Sequence, residues 1–152
     1  MKLASLAVAV SFVVTVSLAV AAPVAARSQA PAPCSLITAA DMTLVLGAGA
    51  KANPVGDEQC TIEGATGEYE IHVKRENAAG EMKDWQTFSM VKPVAALKDI
   101  GDEAYADKTG TAVIARKGSV AIRVSSAVTP KAPMPYKEGV LELTRRIVAK
   151  LK

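Results

Sequence analysis

The sequence is poor in the residues that most often carry catalysis or hold metals. Its 152 residues include one histidine, His72, two cysteines, Cys34 and Cys60, and one tryptophan, Trp85. A transition-metal site needs three or four nitrogen or sulfur ligands. One histidine and two distant cysteines do not readily supply that many. The motifs G-x-S-x-G and H-E-x-x-H are missing as well. We therefore expect no cofactor and no metal, and an enzyme is the less favoured interpretation.

The chain also has little net charge. Its formal net charge at pH 7 is +3, and its basic residues are dispersed rather than gathered in one run. A nucleic-acid-binding domain or a protein held on an anionic membrane would carry a basic stripe or cluster. We expect no nucleic-acid partner. No internal repeat is visible, and the length suits one domain with one core.

The first 26 residues are predicted to be a secretory signal peptide. They begin with Lys2, continue as an apolar run of alanine, valine and leucine, and end in small residues at Ala25-Ala26. Cleavage near Ala26 would release a periplasmic or secreted protein with no stable membrane insertion, and an uncleaved anchor is the alternative. Residues 27–33 are predicted to be a flexible leader, and residues 34–152 a single domain.

Cys34 and Cys60 are predicted to form a disulfide. An exported chain enters an oxidising compartment, and no third cysteine competes for either partner. Their spacing does not fit a C-x-x-C redox or zinc motif. The pair is therefore interpreted as a structural bridge.

The hydrophobic pattern predicts an α+β domain. A first helix is expected after Thr38, which can cap it together with Asp41, and Gly47 is expected to end it. Alternating apolar residues predict strands over 59–63 and 69–74. A second helix is predicted within 81–91, and the amphipathic segment 136–152 predicts a last helix.

A β-hairpin is predicted in the segment TAVIARKGSVAIRV. A two-residue turn at Lys117-Gly118 would place Ala115 opposite Val120 and Ile114 opposite Ala121. A short strand over 104–106 is expected to precede it. The predicted fold is an antiparallel sheet of about four to five strands, packed on one face by two to three helices.

The order of these segments resembles a known family. "PCSLITAADMTLVLG", "GDEQCTIEG", "IGDEAY" and "VIARKGSVAIRV", followed by an amphipathic helix, are similar to uncharacterised bacterial exported proteins and cell-wall lipoproteins, best known in actinobacteria and loosely related to extracytoplasmic sensor domains. The chain lacks the lipobox cysteine of the lipoprotein members. The resemblance implies a fold and a compartment, but no catalytic residue.

Five residues are candidates for ligand binding: Trp85, His72, Glu70, Asp102 and Arg123. Strand alternation places Glu70 and His72 on one face of the sheet. They come nearer to an acid–base or metal-binding pair than any other residues of the sequence, but an ordinary solvent-exposed face explains the same alternation. Trp85 is either a core anchor or a stacking platform for a ligand ring. Asp102 with Glu103 is either catalytic or, more simply, part of a turn.

Three functions remain open from the sequence. The favoured one is a non-enzymatic cell-envelope domain that binds or senses a small ligand or a protein partner. The second is a small periplasmic hydrolase-like enzyme that uses His72 with a carboxylate. The third is a structural or inhibitory protein that presents a surface to a partner protein.

Overall fold

The structure is a computed structural model that describes residues 32–88 and 95–152. The predicted signal peptide, residues 27–31 of the predicted leader and residues 89–91 of the second predicted helix lie outside the described residues. Within the described ranges, no helix combines the length and the apolar character needed to cross a membrane.

The helices largely follow the sequence signals. A 3₁₀ helix, Pro33–Leu36, precedes α1, Ala39–Leu46, and these are followed by α2, Ala78–Phe88, and α3, Tyr136–Lys150. The predicted cap of α1 is confirmed: Thr38 Oγ1 accepts a hydrogen bond from the Asp41 amide at 3.2 Å, and the Asp41 carboxylate accepts one from the Thr38 amide at 2.9 Å. Gly47 follows the helix with a φ of +88°, a conformation that glycine adopts without strain.

The described strands form one antiparallel sheet in the order β1-β2-β3-β7-β6-β5-β4. Their bounds are β1 Lys51–Val55, β2 Gln59–Gly64, β3 Gly67–Lys74, β4 Ala95–Ala96, β5 Glu103–Ala106, β6 Ala112–Lys117 and β7 Val120–Val128. The α+β class is confirmed, whereas four to five strands is too few. The two additional strands lie at the edges of the sheet. β1 has no clear alternation and contains Pro54, which an edge strand tolerates, and β4 has only two residues.

The β6–β7 hairpin forms with a different register from the predicted one. Lys117 pairs with Val120, and Ala115 pairs with Ile122 rather than with Val120. The turn is therefore Gly118-Ser119, and Gly118 has a φ of +56°, which suits a glycine at the first turn position. Because the error is two residues, every side chain keeps its predicted face.

The helices cover both faces of the sheet. Residues of α1 and α3, including Val45, Leu143 and Ile147, pack with Ile71 and Val124 in the main core, on what we call the core face. The predicted helical packing on one face only is wrong, because α2 lies on the opposite face. There Ala78 and Met82 pack against Ile114 and Ala121, in a second, smaller cluster.

The predicted disulfide is confirmed. Cys34 in the 3₁₀ helix is bonded to Cys60 in β2, and their Cα atoms are 5.1 Å apart. Cys60 is fully buried in the main core. The bridge therefore fastens the beginning of the described chain to an inner strand of the sheet.

Candidate functional site

The part of the second face that α2 leaves uncovered is polar. α2 packs against β6 and β7, while the side chains of β3 and the end of β7 on this face remain half-exposed. Register places His72 opposite Arg123 and Glu70 opposite Ser125. We call this surface the open face, and its residues are Glu68, Glu70, His72, Arg123 and Ser125.

His72 and Glu70 are neighbours on the open face. His72 Nε2 lies 3.8 Å from Glu70 Oε2, too far for a hydrogen bond, and the two side chains are 30% and 44% exposed. Burial lowers the pKa of His72, as does the positive charge of Arg123, while the Glu70 carboxylate opposes them. The imidazole is therefore mainly neutral at pH 7. His72 lies on a half-exposed strand, as expected from the alternation, and not in a deep cleft.

Arg123 is the unusual residue of this surface. Its Nε is buried and has no hydrogen-bond partner in the described part of the chain. Among the described residues, its guanidinium also makes no ion pair. A buried donor without a partner costs about 1–3 kcal/mol, so most arginines in such positions are paired. Arg123 thus presents an unmatched positive charge beside His72.

A small hollow lies where the open face reaches the end of β7, beyond Arg123 along this strand. It has a volume of about 170 Å³ and is lined by Glu68, Glu70, Ser125, Ser126 and Ala127. Ser125 follows Arg123 by two residues and therefore points to the same side of β7. The hollow is lined by carboxylates and hydroxyls, which can bind polar ligands but provide no activated nucleophile. Arg123 is not part of its lining.

Trp85 lies on the same side of the sheet as the open face. It is half-buried on α2 and packs against the cluster that contains Ile114. Ile114 is paired with Arg123, so the α2 cluster borders the open face. The structure thus gives Trp85 an anchoring role in the packing of α2.

Asp102 belongs to a different group of residues. Its Oδ2 accepts a hydrogen bond from the Gly118 amide at 2.7 Å, and its carboxylate also lies near Lys117 and Arg116. The Gly118 hydrogen bond lowers the pKa of Asp102. Glu103 lies 3.5 Å from the same Arg116. These carboxylates hold the β6–β7 turn, and the structure does not place them with His72.

Sequence reasoning did not identify Glu68 or Ser125 as members of this surface. Their positions depend on the pairing of β3 with β7, two strands that are separated by 45 residues or more and carry no pairing signal. The alternation in each strand gives the face of a residue, but only the register gives its neighbours. The unmatched state of Arg123 is likewise visible only in three dimensions.

Two short segments that match catalytic motifs were also missed among the candidate site residues. Ser89 to Lys92 has the spacing S-x-x-K, and Lys108 to Gly110 reads K-T-G, but the S-D-N motif that accompanies them in serine β-lactamases is missing. Ser89 to Lys92 lie outside the described residues. Lys108 to Gly110 lie in a turn organised by the Asp107 carboxylate, which accepts hydrogen bonds from Thr109, Thr111 and the Ala112 amide.

Metal ligands are not grouped in the described part of the chain, where no three residues of the types His, Cys, Asp and Glu could hold one ion.

Comparison of the chain with protein-family models, with characterised proteins and with solved structures gave no match.

Proposed function

We propose that this protein is an exported, non-enzymatic domain of the cell envelope that binds or senses a ligand on its open face. The observation that supports the proposal is Arg123, which is half-buried on this surface, makes no ion pair among the described residues and has a buried Nε without a hydrogen-bond partner there. A ligand that accepts hydrogen bonds from the guanidinium would supply this partner. The Cys34–Cys60 bridge is consistent with an oxidising compartment. The proposed location in the cell envelope also rests on the resemblance of the sequence to exported bacterial proteins.

The hydrolase alternative rests on His72 and Glu70. Within the described residues, no hydroxyl group hydrogen-bonds His72, and Glu70 is 3.8 Å away. A general base needs hydrogen-bond contact with the group that it activates. A binding function needs no such contact, and so we favour it.

The third alternative, a partner-binding surface, would use another part of the molecule. An apolar concavity of about 550 Å³ lies along the connector before α3, where Val128, Met134 and Tyr136 contribute to its wall. No charge on this surface indicates what kind of molecule would cover it. We therefore place the binding function on the open face.

The proposal is tested by thermal denaturation of the mature protein in the presence of envelope metabolites, sugars and metal salts. A ligand that binds only the folded state raises the melting temperature. We expect at least one compound to do so for the wild type and for the control Arg145→Gln, which changes an exposed arginine of α3. The same compound should have little effect on Arg123→Gln. No shift with any compound, or an equal shift in Arg123→Gln, would contradict the proposal.

A further inference from the structure

The open face carries separated charges of both signs. Arg123 is paired with His72, so Glu70, two residues away on β3, is its diagonal neighbour. Diagonal Cβ atoms in antiparallel strands are about 7–8 Å apart or slightly less, within reach of a long arginine. Even so, Arg123 and Glu70 form no ion pair. The two opposite charges therefore remain available to a third group.

The hollow that Glu70 and Ser125 line, two residues along β7 from Arg123, limits the size of that group. Its volume is about 170 Å³, whereas sites for drug-sized ligands usually have about 300–1,000 Å³. A nucleotide or other large cofactor would not fit within it. A compact molecule of a few heavy atoms would, and Ser125, on the same strand as Arg123 and opposite Glu70, offers it a hydroxyl.

The combination of charges excludes simple ions as well-matched ligands. An anion on Arg123 would be repelled by Glu70 and by Glu68, which has no ion pair among the described residues. A cation in the hollow would be repelled by Arg123. A molecule with both charges would satisfy both sides, because each charge would gain an oppositely charged partner.

We infer that the open face binds a small zwitterion of the α-amino-acid type. Its carboxylate would lie on the guanidinium of Arg123, its ammonium group on the carboxylate of Glu70, and Ser125 would donate a hydrogen bond to the carboxylate. Neutral His72 separates the two charged residues and adds no third charge. This inference rests on the proposed binding function and specifies its ligand class.

The inference is tested with the standard α-amino acids in L and D forms, using isothermal titration calorimetry and thermal denaturation. Each amino acid that binds is compared with its N-acetyl derivative, which lacks the positive charge, and with its amide, which lacks the negative charge. We expect at least one amino acid to bind, and both derivatives to bind about tenfold more weakly or worse, a change of about 1.4 kcal/mol.

Variants then locate the site. Arg123→Gln and Glu70→Gln should each weaken binding of the amino acid by about tenfold or more. The matched controls Arg145→Gln and Glu138→Gln remove the same charges from exposed positions of α3 and should leave affinity unchanged. Melting curves without ligand show whether each variant is folded. Backbone amide chemical shifts of the wild type, followed during titration, give a second location of the site that needs no variant.

The outcomes separate this inference from the proposed function. If no amino acid binds, or if a derivative binds as well as its parent, the ligand class is wrong. If another ligand binds and depends on Arg123 but not on Glu70, the binding function remains and the zwitterion is rejected. If neither variant weakens amino-acid binding and the chemical shifts change elsewhere, the assignment to the open face is wrong.

Discussion

At the scale of single residues, Tyr69 and Gly139 are in close contact in the core. The Tyr69 side chain is fully buried, and its hydroxyl has no hydrogen-bond partner within residues 32–88 and 95–152. Burial raises the pKa of Tyr69 to about 12. A Cβ atom added to Gly139 would lie 2.1 Å from this hydroxyl. The glycine in α3 is therefore required by the space that the tyrosine occupies, even though glycine weakens a helix.

Tyr69→Phe is expected to increase the free energy of unfolding by about 1 kcal/mol, because it removes a buried hydroxyl that has lost its hydrogen bonds to water. Urea denaturation measures the change. Tyr136→Phe is the control, since Tyr136 is 38% exposed and its hydroxyl can reach water. A loss of stability in Tyr69→Phe would show that the hydroxyl has a partner in solution.

Gly139→Ala is expected to destabilise the protein by about 1–3 kcal/mol, the usual cost of adding a methyl group to a filled core. In the Tyr69→Phe background the cost should fall sharply, because the atom nearest to the new Cβ is gone. A double-mutant cycle measures the coupling. Additive effects would mean that the helix moves away from the sheet in both backgrounds.

At the scale of elements, α1 depends on its N-terminal cap. Thr38→Ala should lower the free energy of unfolding by about 1 kcal/mol, since the Asp41 amide loses the Thr38 hydroxyl. Thr43→Ala is the matched control, because Thr43 is exposed within the same helix and its hydroxyl donates a hydrogen bond to the Ala39 carbonyl. It should be neutral or slightly stabilising. An unchanged urea midpoint in Thr38→Ala would contradict the role of the cap.

Asp41 also joins α1 to α3. Its carboxylate lies 2.8 Å from Lys150 Nζ and 3.3 Å from Arg146, and its side chain is only 5% exposed. Burial alone would raise the pKa of Asp41, but the Lys150 and Thr38 hydrogen bonds together lower it from 3.8 to about 2. The charged form is thus favoured in the folded state.

This carboxylate should make stability dependent on acid. Because the folded-state pKa is the lower one, the contribution is complete above about pH 4 and is lost as the pH falls toward about 2. Its size is about 2 kcal/mol, from the pKa difference and about 1.4 kcal/mol per unit. Asp41→Asn should be less stable than the wild type at neutral pH, and the difference should shrink in this acid range. A constant difference in urea denaturation would exclude the mechanism.

At the scale of the whole molecule, the Cys34–Cys60 bridge closes a loop between positions separated by 26 residues. Loop entropy in the unfolded chain predicts a stabilisation of about 3–4 kcal/mol. The reduced protein, or the double variant with Cys34→Ala and Cys60→Ala, should therefore melt at a lower temperature. Free thiols in native protein kept without reductant would contradict the bridge.

The sequence alone predicted features that depend on neighbouring residues or on a strong prior from composition. The Thr38–Asp41 cap needs only residues three apart, and the strands predicted over 59–63 and 69–74 follow from the alternation of apolar residues. The disulfide followed from having two cysteines and a predicted export signal. The faces of the β6–β7 hairpin were also predictable, because a two-residue error of register leaves them unchanged.

Tertiary structure decided the features that join distant parts of the chain. Asp41 contacts Lys150 across 109 positions, Gly139 fits Tyr69, and α2 crosses to the second face of the sheet. The edge strand β1 has no alternation of its own and forms by pairing with β2. The open face also depends on tertiary structure, because Glu70 and Ser125 become neighbours only through the β3–β7 register. Local periodicity determines which face of a strand or helix each residue lies on, whereas packing and register determine which residues are its neighbours. The candidate site depends on neighbours from different strands, so only the tertiary structure defines it.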